Sequence, residues 1–312
     1  MAAFELTAEI PTLDQLKATD LTPFDGVYLG QPYCRLYRDN PIANFDQLKA
    51  AVAYLKEKGK KAYVSTDAGP RSETLPQVQA MLEICAELEV DGIDVQSLGV
   101  LRLAHRDFPQ LPLIAGGFIN LYTLEGARTL AQYGVRVLRP SYELNLDEIN
   151  LIRDETGLEV ELLVHGKFPL GITDRCFLLD YQEQTGLSCP DICLEEFWMT
   201  RGSWTLRHIG TALLSGKQMC MLEHLPHLVG LGYRRFRIGT LTTPAPHRGE
   251  MGRIYREALA QAADAQHYPR ETLMKELEKY SRHGFCNGYY FGQSGHLYIS
   301  HAEKAAQSAT TI

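Results

Sequence analysis

Three of the seven cysteines in this 312-residue chain lie close together in an irregular, polar stretch. Cys176, Cys189 and Cys193 occupy the segment RCFLLDYQEQTGLSCPDICLEE, which also holds the turn-forming residues Gly186 and Pro190. Thiolates spaced in this way can fold back onto one metal ion or one inorganic cluster. Packing of small apolar side chains explains such a polar loop poorly. The segment therefore indicates three ligands of a metal or iron–sulfur site.

The fourth ligand must come from elsewhere in the chain. Cys34 is the best candidate because YLGQPYCRLY places it directly after a predicted strand, and Cys220 in KQMCMLEHL is the reserve. Cys85 lies within an amphipathic helical pattern and is interpreted as a packing residue. Four sulfur ligands suit either zinc or an iron–sulfur cluster, and spacing alone does not separate these. Zinc sites usually come as two close pairs, so the irregular pattern here favours a cluster.

Three cationic or titratable side chains are candidates for catalysis or anion binding. Arg139 ends the sixth predicted strand and His165 ends the seventh, where barrel enzymes place working residues. Arg175 lies beside Cys176 and could hydrogen-bond a cluster sulfur or bind a carboxylate bidentately. Each of the three could equally be an ion-pair or capping group. Glu161 is four residues from His165 along one strand, so the two make a poor proton-relay pair.

Short β-branched runs alternate with amphipathic helical patterns along the chain. In FDQLKAAVAYLKEKG, for example, apolar residues recur at three- and four-residue steps and Gly59 supplies the stop. Eight strand–helix units predict an α/β chain with parallel pairing, whose closed form is a (β/α)8 TIM-like barrel. An open doubly wound sheet is the alternative. The predicted strands are 4–10, 26–30, 61–66, 92–97, 112–117, 136–141, 158–166 and 234–240.

Two departures from even spacing define the domain prediction. The interval between the last two predicted strands is the longest, and it contains four of the seven cysteines. We therefore predict a barrel over 1–265 with a cluster-binding insertion at 167–216, followed by a C-terminal extension over 266–312. The aromatic residues of the extension are predicted to seal one end of the barrel, and stacking on RNA bases or on another ring is the alternative. They are Phe285, Tyr289, Tyr290 and Phe291.

Composition excludes several function classes. A net charge of −7, from 31 basic and 38 acidic residues, argues against a surface that wraps a nucleic-acid backbone, although a local basic patch stays open. The N-terminal MAAFELTAEIPT has no basic segment before an apolar run, and no run of about 18 apolar residues occurs. We expect a cytoplasmic protein without a membrane span. A reducing cytosol favours metal-binding over disulfide-bonded cysteines.

Four stretches of the chain resemble a known bacterial family. They are YLGQPYC, ELLVHGKFPLGITDRC, the pair Cys189 and Cys193, and MLEHLPHLVGLGYRRFRIG. Together they resemble the collagenase-like peptidases of unassigned mechanism over about residues 4 to 290. Within that family they are most similar to the UbiV-type members, which act in oxygen-independent ubiquinone biosynthesis.

The resemblance implies a cofactor, a reaction and a partner. UbiV-type members hold a 4Fe-4S cluster by one cysteine in a YLG-x-x-x-C context and three later ones spaced by 13 and 4 positions; Cys34, Cys176, Cys189 and Cys193 match that arrangement. The implied reaction is a hydroxylation in which prephenate, rather than molecular oxygen, is the oxygen donor and a ubiquinone precursor is the acceptor. The implied partner is a UbiU-like protein, bound as a heterodimer.

Alternatives to this function stay open at the level of sequence. Cys220 falls where UbiU-like and RNA-hydroxylating relatives place their last ligand, so an RNA base hydroxylase of the same family is one alternative. A non-catalytic, cluster-bearing subunit and a peptidase are the others. The peptidase is disfavoured because the sequence shows neither HExxH nor a recognisable cysteine–histidine pair. Glu223, His224 and His227 in MLEHLPHL are interpreted as structural.

Overall fold

A computed structural model describes residues 4–34, 39–173, 176, 178, 193, 198–202 and 204–304 of the chain. Two of the predicted site residues, Arg175 and Cys189, lie outside the described residues.

Eight parallel strands form the closed barrel that the strand–helix alternation predicts. Each strand pairs with the next, and the last one pairs with both the seventh and the first. This closure confirms the predicted (β/α)8 barrel. The alternative prediction, an open doubly wound sheet, is wrong. The barrel strands are β1 (Glu5–Ile10), β2 (Gly26–Leu29), β3 (Lys61–Ser65), β4 (Gly92–Val95), β5 (Leu113–Ala115), β6 (Val135–Leu138), β7 (Glu159–Gly166) and β13 (Arg235–Gly239).

Helices cover the outside of the barrel and begin at hydrogen-bonding caps. Ser97, Thr123 and Asn145 each accept a backbone N–H three positions ahead, which satisfies a donor that the first helical turn leaves unpaired. The helices are α1 (Leu13–Lys17), α2 (Phe45–Glu57), α3 (Leu75–Glu87), α4 (Leu98–Asp107), α5 (Leu124–Gln132), α6 (Leu146–Thr156), α7 (Leu225–Gly230), α8 (Ala245–Gln261) and α9 (Arg270–Leu277). Within the described part of the chain, no helix is long and apolar enough to cross a membrane.

The segment between β7 and β13 carries a second sheet. Its strands are β8 (Pro169–Ile172), β9 (Trp198–Arg201), β10 (Trp204–Ile209) and β11 (Ala212–Ser215), paired antiparallel in the order β8-β11-β10-β9. A further strand, β12 (Gln218–Cys220), returns the chain to the barrel and pairs antiparallel with β7. We call the four-stranded sheet the lid.

The lid covers the carboxyl end of the barrel. Ala68, Phe118 and Leu241 follow β3, β5 and β13, and all three pack against a small apolar cluster made largely by the lid. Loops after the strands of a parallel barrel meet at one end, which is where such barrels bind ligands. The cluster consists of Tyr33, Cys193, Ile209, Ala212 and Leu214.

The C-terminal segment packs onto the barrel wall and its carboxyl end. Strand β14 (Phe285–Cys286) pairs parallel with β12 and so lengthens the barrel sheet at that edge. Tyr290 is buried, and its hydroxyl donates to the carbonyl of Leu163 on β7 at 3.1 Å. Phe291 stacks edge-on against His224, with ring centroids 4.7 Å apart.

Candidate functional site

Three of the four predicted cysteine ligands meet at the turn between β10 and β11. The backbone N–H of Gly210 donates to Sγ of Cys193 at 3.5 Å, and Nε2 of His208 lies 3.7 Å from Sγ of Cys176. A Cβ atom added to Gly210 would stand 2.7 Å from Cβ of Cys34. The lid thus brings Cys176 and Cys193 to the loop that carries Cys34. We call these three residues the cysteine group.

The loop after β2 is held against this turn by backbone and amide hydrogen bonds. Asn40 donates from Nδ2 to the carbonyls of Gln31, at 2.9 Å, and of Cys34, at 3.0 Å. The N–H and Oγ1 of Thr211 donate to the carbonyl of Tyr33 at 3.0 and 2.9 Å. These bonds fix the position of Cys34 relative to the lid.

The turn itself depends on glycine. Gly210 and Thr211 form a two-residue connection between antiparallel strands, and such hairpins favour glycine where φ is positive. Gly210 has a φ of 58°. The absent side chain also makes room for the backbone of Tyr33 and the side chain of Cys34. One residue therefore serves both the hairpin and the contact with the cysteine group.

The surroundings of the cysteine group suit thiolates. Cys176 and Cys193 are buried, and N–H donors directed at sulfur stabilise metal-bound thiolates. Arg207 donates to the carbonyl of Cys193 at 2.7 Å, which adds a positive charge nearby. Burial, followed by the charge of Arg207, lowers the pKa of His208, so this imidazole is neutral at pH 7.

These residues alone do not form a complete binding site for a single metal ion. Among the described residues, no three His, Cys, Asp or Glu side chains converge on one ion. In a four-iron cluster each thiolate binds a different iron, so the sulfurs stay apart. The donor set and its N–H contacts are compatible with such a cluster, and the remaining predicted ligand, Cys189, lies outside the described residues.

Cys220 lies elsewhere. Its sulfur is 3.7 Å from the hydroxyl of Tyr255 on α8 and 3.8 Å from the sulfur of Met274 on α9. Burial raises the pKa of this thiol to about 12. The residue is therefore a packing group between β12 and the outer helices. Cys34, and not Cys220, lies near Cys176 and Cys193.

The interior of the barrel contains a buried network of charges. Arg139 donates to Asp94 and, at 2.8 Å, to Glu9; its Nε lies 3.9 Å from Glu161. Arg237 donates to the same Glu9 and places its Nε 3.6 Å from Glu161. All five residues are less than a tenth exposed. We call Glu9, Asp94, Arg139, Glu161 and Arg237 the barrel charge network.

Burial controls the protonation of this network. It raises the pKa of Asp94 and of Glu161, because the low-dielectric interior disfavours the charged carboxylate, and the charge of Arg139 partly opposes that rise. Arg139 is 3% exposed and already bound by carboxylates of the chain itself. Arg139 directly follows the carboxyl end of β6, and there it lines a small cavity together with Arg237 and Tyr290.

His165 faces away from the barrel interior. A bulge in the pairing of β7 with β13 leaves Val164 unpaired, so that Leu163 opposes Arg237 and His165 opposes the outward-facing Ile238. The imidazole lies 3.3 Å from the hydroxyl of Tyr255 on α8. Burial lowers the pKa of His165 to about 3, so it is neutral at pH 7. The structure does not bring it together with Arg139 or the cysteine group.

The residues of MLEHLPHL are held by the C-terminal segment. Glu223 accepts from the hydroxyl of Tyr298 at 2.8 Å, and Nε2 of His224 lies 2.9 Å from the carbonyl of Ile299. His224 is 1% exposed. These contacts agree with the structural interpretation of the segment.

A basic cleft opens beside the lid, at a position that no local sequence pattern indicates. It has a volume of about 250 Å³ and lies between the lid, the loop after β13 and the segment after α9. Four of its lining residues are cations that are far apart in the sequence, which is why no local pattern reveals them. They are Lys167, Arg207, Lys279 and Arg282.

The fold and the cysteine group define a class: a (β/α)8 barrel whose carboxyl end is covered by a lid, with three cysteines beside the β10–β11 turn of that lid. The model of Peptidase family U32 matches residues 12–299, and the chain belongs to that family. The collagenase-like family predicted from the four sequence stretches is thereby confirmed.

Relatives within the family have different names. A protein of Methanocaldococcus jannaschii described as an uncharacterized protease is 30% identical over 93% of this chain and 74% of its own length. The tRNA hydroxylation protein P of Escherichia coli is 21% identical over 91% of this chain and 74% of its own length. The 23S rRNA 5-hydroxycytidine C2501 synthase of Escherichia coli is 26% identical over 69% of this chain and 33% of its own length. A solved U32 peptidase structure covers 59% of this chain and 76% of its own, at 17% identity and a TM-score of 0.44.

Proposed function

We propose that this chain is an iron–sulfur protein that acts in oxygen-independent hydroxylation. The observation that carries the proposal is the cysteine group, in which Cys34, Cys176 and Cys193 meet at the β10–β11 turn over the carboxyl end of the barrel. Cys189, four residues before Cys193, completes the ligand set for a 4Fe-4S cluster. The reaction class is supported by relatives named for tRNA and rRNA hydroxylation.

A cluster bound by four cysteines supplies electron transfer or structural support, since every iron is saturated by protein ligands. The residues of the chain have separate tasks around it. The N–H of Gly210 and the imidazole of His208 stabilise thiolates, and Arg207 anchors the backbone of Cys193. Ile209, Ala212 and Leu214 keep water from the lid side of the barrel mouth. Arg175, beside Cys176, is proposed to bind cluster sulfur or a substrate carboxylate.

The more specific form of the proposal is a UbiV-type component of ubiquinone biosynthesis. The spacing of Cys176, Cys189 and Cys193 and the YLGQPYC context of Cys34 support it. In this form prephenate donates the oxygen atom, a ubiquinone precursor accepts it, and a UbiU-like protein is the heterodimer partner. A second candidate is the hydroxylation of an RNA base, which is favoured by the names of several relatives.

The cluster is tested by analysis of the anaerobically purified protein. We expect about four iron and about four sulfide per chain with the absorption of a 4Fe-4S centre, because four thiolates are available. Cys34→Ser should lose most of this iron, whereas Cys220→Ala should retain it and lose only about 1 kcal/mol of unfolding free energy through a smaller buried side chain. A colourless, zinc-loaded protein, or iron loss in Cys220→Ala equal to that in Cys34→Ser, would contradict the proposed ligand set.

The two substrates are distinguished in cells grown without oxygen. Deletion of the gene should lower the amount of hydroxylated ubiquinone intermediates at least ~10-fold, while tRNA and rRNA nucleosides keep their hydroxylation. The measurement is mass spectrometry of the quinone pool and of digested RNA from the same cultures, with the Cys34→Ser and Cys220→Ala variants as complements. Loss of a hydroxylated nucleoside with an unchanged quinone pool would select the RNA candidate instead.

A further inference from the structure

A further cavity lies between the lid and the C-terminal segment. It has a volume of about 670 Å³, within the range of roughly 300 to 1,000 Å³ that is usual for small-molecule sites. No Asp or Glu occurs among the described residues that line it. We call this cavity the apolar pocket. Its apolar lining residues are Phe168, Leu170, Trp204, Leu206, Cys286 and Tyr289.

The lid carries large apolar side chains on both of its faces. Ile209 and Ala212 are cross-strand partners and belong to the apolar cluster on the barrel side. Side chains alternate along a strand, so Trp204 and Leu206 project from the opposite face of β10. A solvated sheet face usually carries polar residues, yet Trp204 is 50% exposed and Leu170 is 46% exposed. The outer face therefore leaves apolar surface at the pocket that a ligand could cover.

Four polar side chains of the lining are already bonded within the protein. The hydroxyl of Ser215 donates to the carbonyl of Lys217 at 2.8 Å, and Nζ of Lys217 donates to the carbonyl of His296 at 2.9 Å. Oγ of Ser294 lies 2.8 Å from Nδ1 of His296. The pocket therefore offers a ligand mainly apolar contact, with few polar groups to recognise.

The aromatic rings of the pocket do not form a slot for a planar ligand. Phe168 and Tyr289 meet edge-on, with ring centroids 6.5 Å apart and planes at 77°. Gly295 lies close to the same tyrosine, because an added Cβ would stand 2.8 Å from its ring. Rings that contact each other at such an angle leave no pair of parallel faces for stacking. A flexible aliphatic chain can follow these irregular walls, whereas a flat ring cannot.

We infer that the apolar pocket binds the aliphatic chain of a small amphiphilic molecule, such as a medium-chain alcohol or acid. The volume, the apolar walls and the bonded polar groups favour a chain, and the exposed sides of Leu170 and Trp204 mark the open side of the pocket. The inference goes beyond the proposed function. An aliphatic chain is neither the oxygen donor nor a ring that accepts oxygen, and its binding requires no cluster.

The test is calorimetric titration of the full chain with 1-hexanol, 1-octanol and 1-decanol. Each step of two added methylene groups should tighten the affinity by roughly 5- to 15-fold, because each buried methylene adds a similar free energy. Tryptophan emission should shift to shorter wavelength on binding, since the half-exposed indole of Trp204 leaves water. Trp204→Phe should remove most of this shift and keep the calorimetric affinity within roughly threefold.

Two aspartate variants of the lid localise the binding. Leu170→Asp should weaken the affinity for decanol by roughly 10-fold or more, because it places a carboxylate at the pocket. Met199→Asp is the matched control, since Met199 is 39% exposed in the same lid and does not line the pocket. Its affinity should stay within about twofold of the parent. Thermal unfolding of each variant verifies that the fold is intact.

Each outcome supports or overturns the inference. Tighter binding of decanoate than of decanol identifies an acidic head group and the reverse identifies a neutral one, and both support the site. The site is overturned if decanol does not bind saturably, if affinity is independent of chain length, or if Met199→Asp weakens binding as much as Leu170→Asp. Tighter binding of 2-naphthol than of decanol would show a site for planar rings and overturn the assigned chain. A dimer that both aspartate variants dissociate would show a protein interface and overturn it as well. Each titration is made with and without iron and sulfide, so failure here is separate from failure of the proposed cluster.

Discussion

The substitution Gly210→Ala is expected to disrupt the cysteine group and to lower the iron content per chain at least ~10-fold. Gly210 has a φ of 58°, where a side chain costs about 1–3 kcal/mol. The added Cβ would also meet the carbonyl oxygen of Tyr33 and would stand 2.7 Å from Cβ of Cys34. Neither atom is the end of a flexible side chain, so the lid must move away from the loop after β2. That movement separates Cys34 from the N–H that binds Cys193.

Gly202 provides the matched control for this prediction. It also has a φ of 58° and lies in the same lid, between β9 and β10, but no atom of the described residues would come within 4 Å of its added Cβ. Gly202→Ala should therefore show the conformational cost alone and keep its iron. Iron content, thermal unfolding and thiol reactivity are measured for both variants. Equal iron in the two would show that close packing of Cys34 against the turn is not required.

The barrel could be predicted from the sequence because its strands are short and apolar and alternate with helices. The predicted strand 4–10 is observed as Glu5–Ile10, and 234–240 as Arg235–Gly239. Parallel strands covered on their outer face are nearly continuous hydrophobic runs in the sequence, which locate the strands to within about three residues. The lid was recognised only as an insertion. Its strands are four to six residues long and partly exposed, and β8 pairs with β11, which lies far along the chain, so the sheet has only a weak local signal.

The cysteine group could be predicted in part. Cys34 follows a barrel strand and the other cysteines belong to the insertion, so topology alone brings them to the carboxyl end. The contribution of His208 and Gly210 depends on how the lid docks, which no local pattern encodes. The basic cleft was missed for the same reason, because its four cations come from segments that meet only in three dimensions.

His165 and Arg139 show why position along a strand is an incomplete guide. Side chains alternate along a strand, but the bulge at Val164 reverses that alternation and turns His165 outward. Arg139 does project inward, yet its partners Glu9 and Asp94 come from β1 and β4, which are distant in the sequence. An arginine that looks available for a substrate is thus neutralised by residues that only the closed barrel brings near.

Arg139→Met tests this interpretation of the barrel interior. The substitution keeps most of the side-chain volume but leaves Glu9, Asp94 and Glu161 with Arg237 as the remaining cation of the barrel charge network. We expect a loss of about 3–5 kcal/mol in the free energy of unfolding, because removal of one partner leaves buried charge uncompensated. Arg106→Met is the control: Arg106 pairs with Asp107 on the surface, and its loss should leave stability unchanged within error.

The pH dependence of this loss separates charge from packing. Burial already raises the pKa of Asp94 and of Glu161, and Arg139 opposes the rise, so its removal raises both pKa values further. The folded variant then binds protons that the unfolded chain, with ordinary carboxyl pKa values, does not bind. Its stability therefore increases as pH falls towards the ordinary carboxyl range, and its deficit relative to the parent should be smaller at about pH 5 than at about pH 8 in urea unfolding. A deficit of the same size at both pH values would mean that lost packing of the arginine side chain, instead of unbalanced charge, destabilises the barrel.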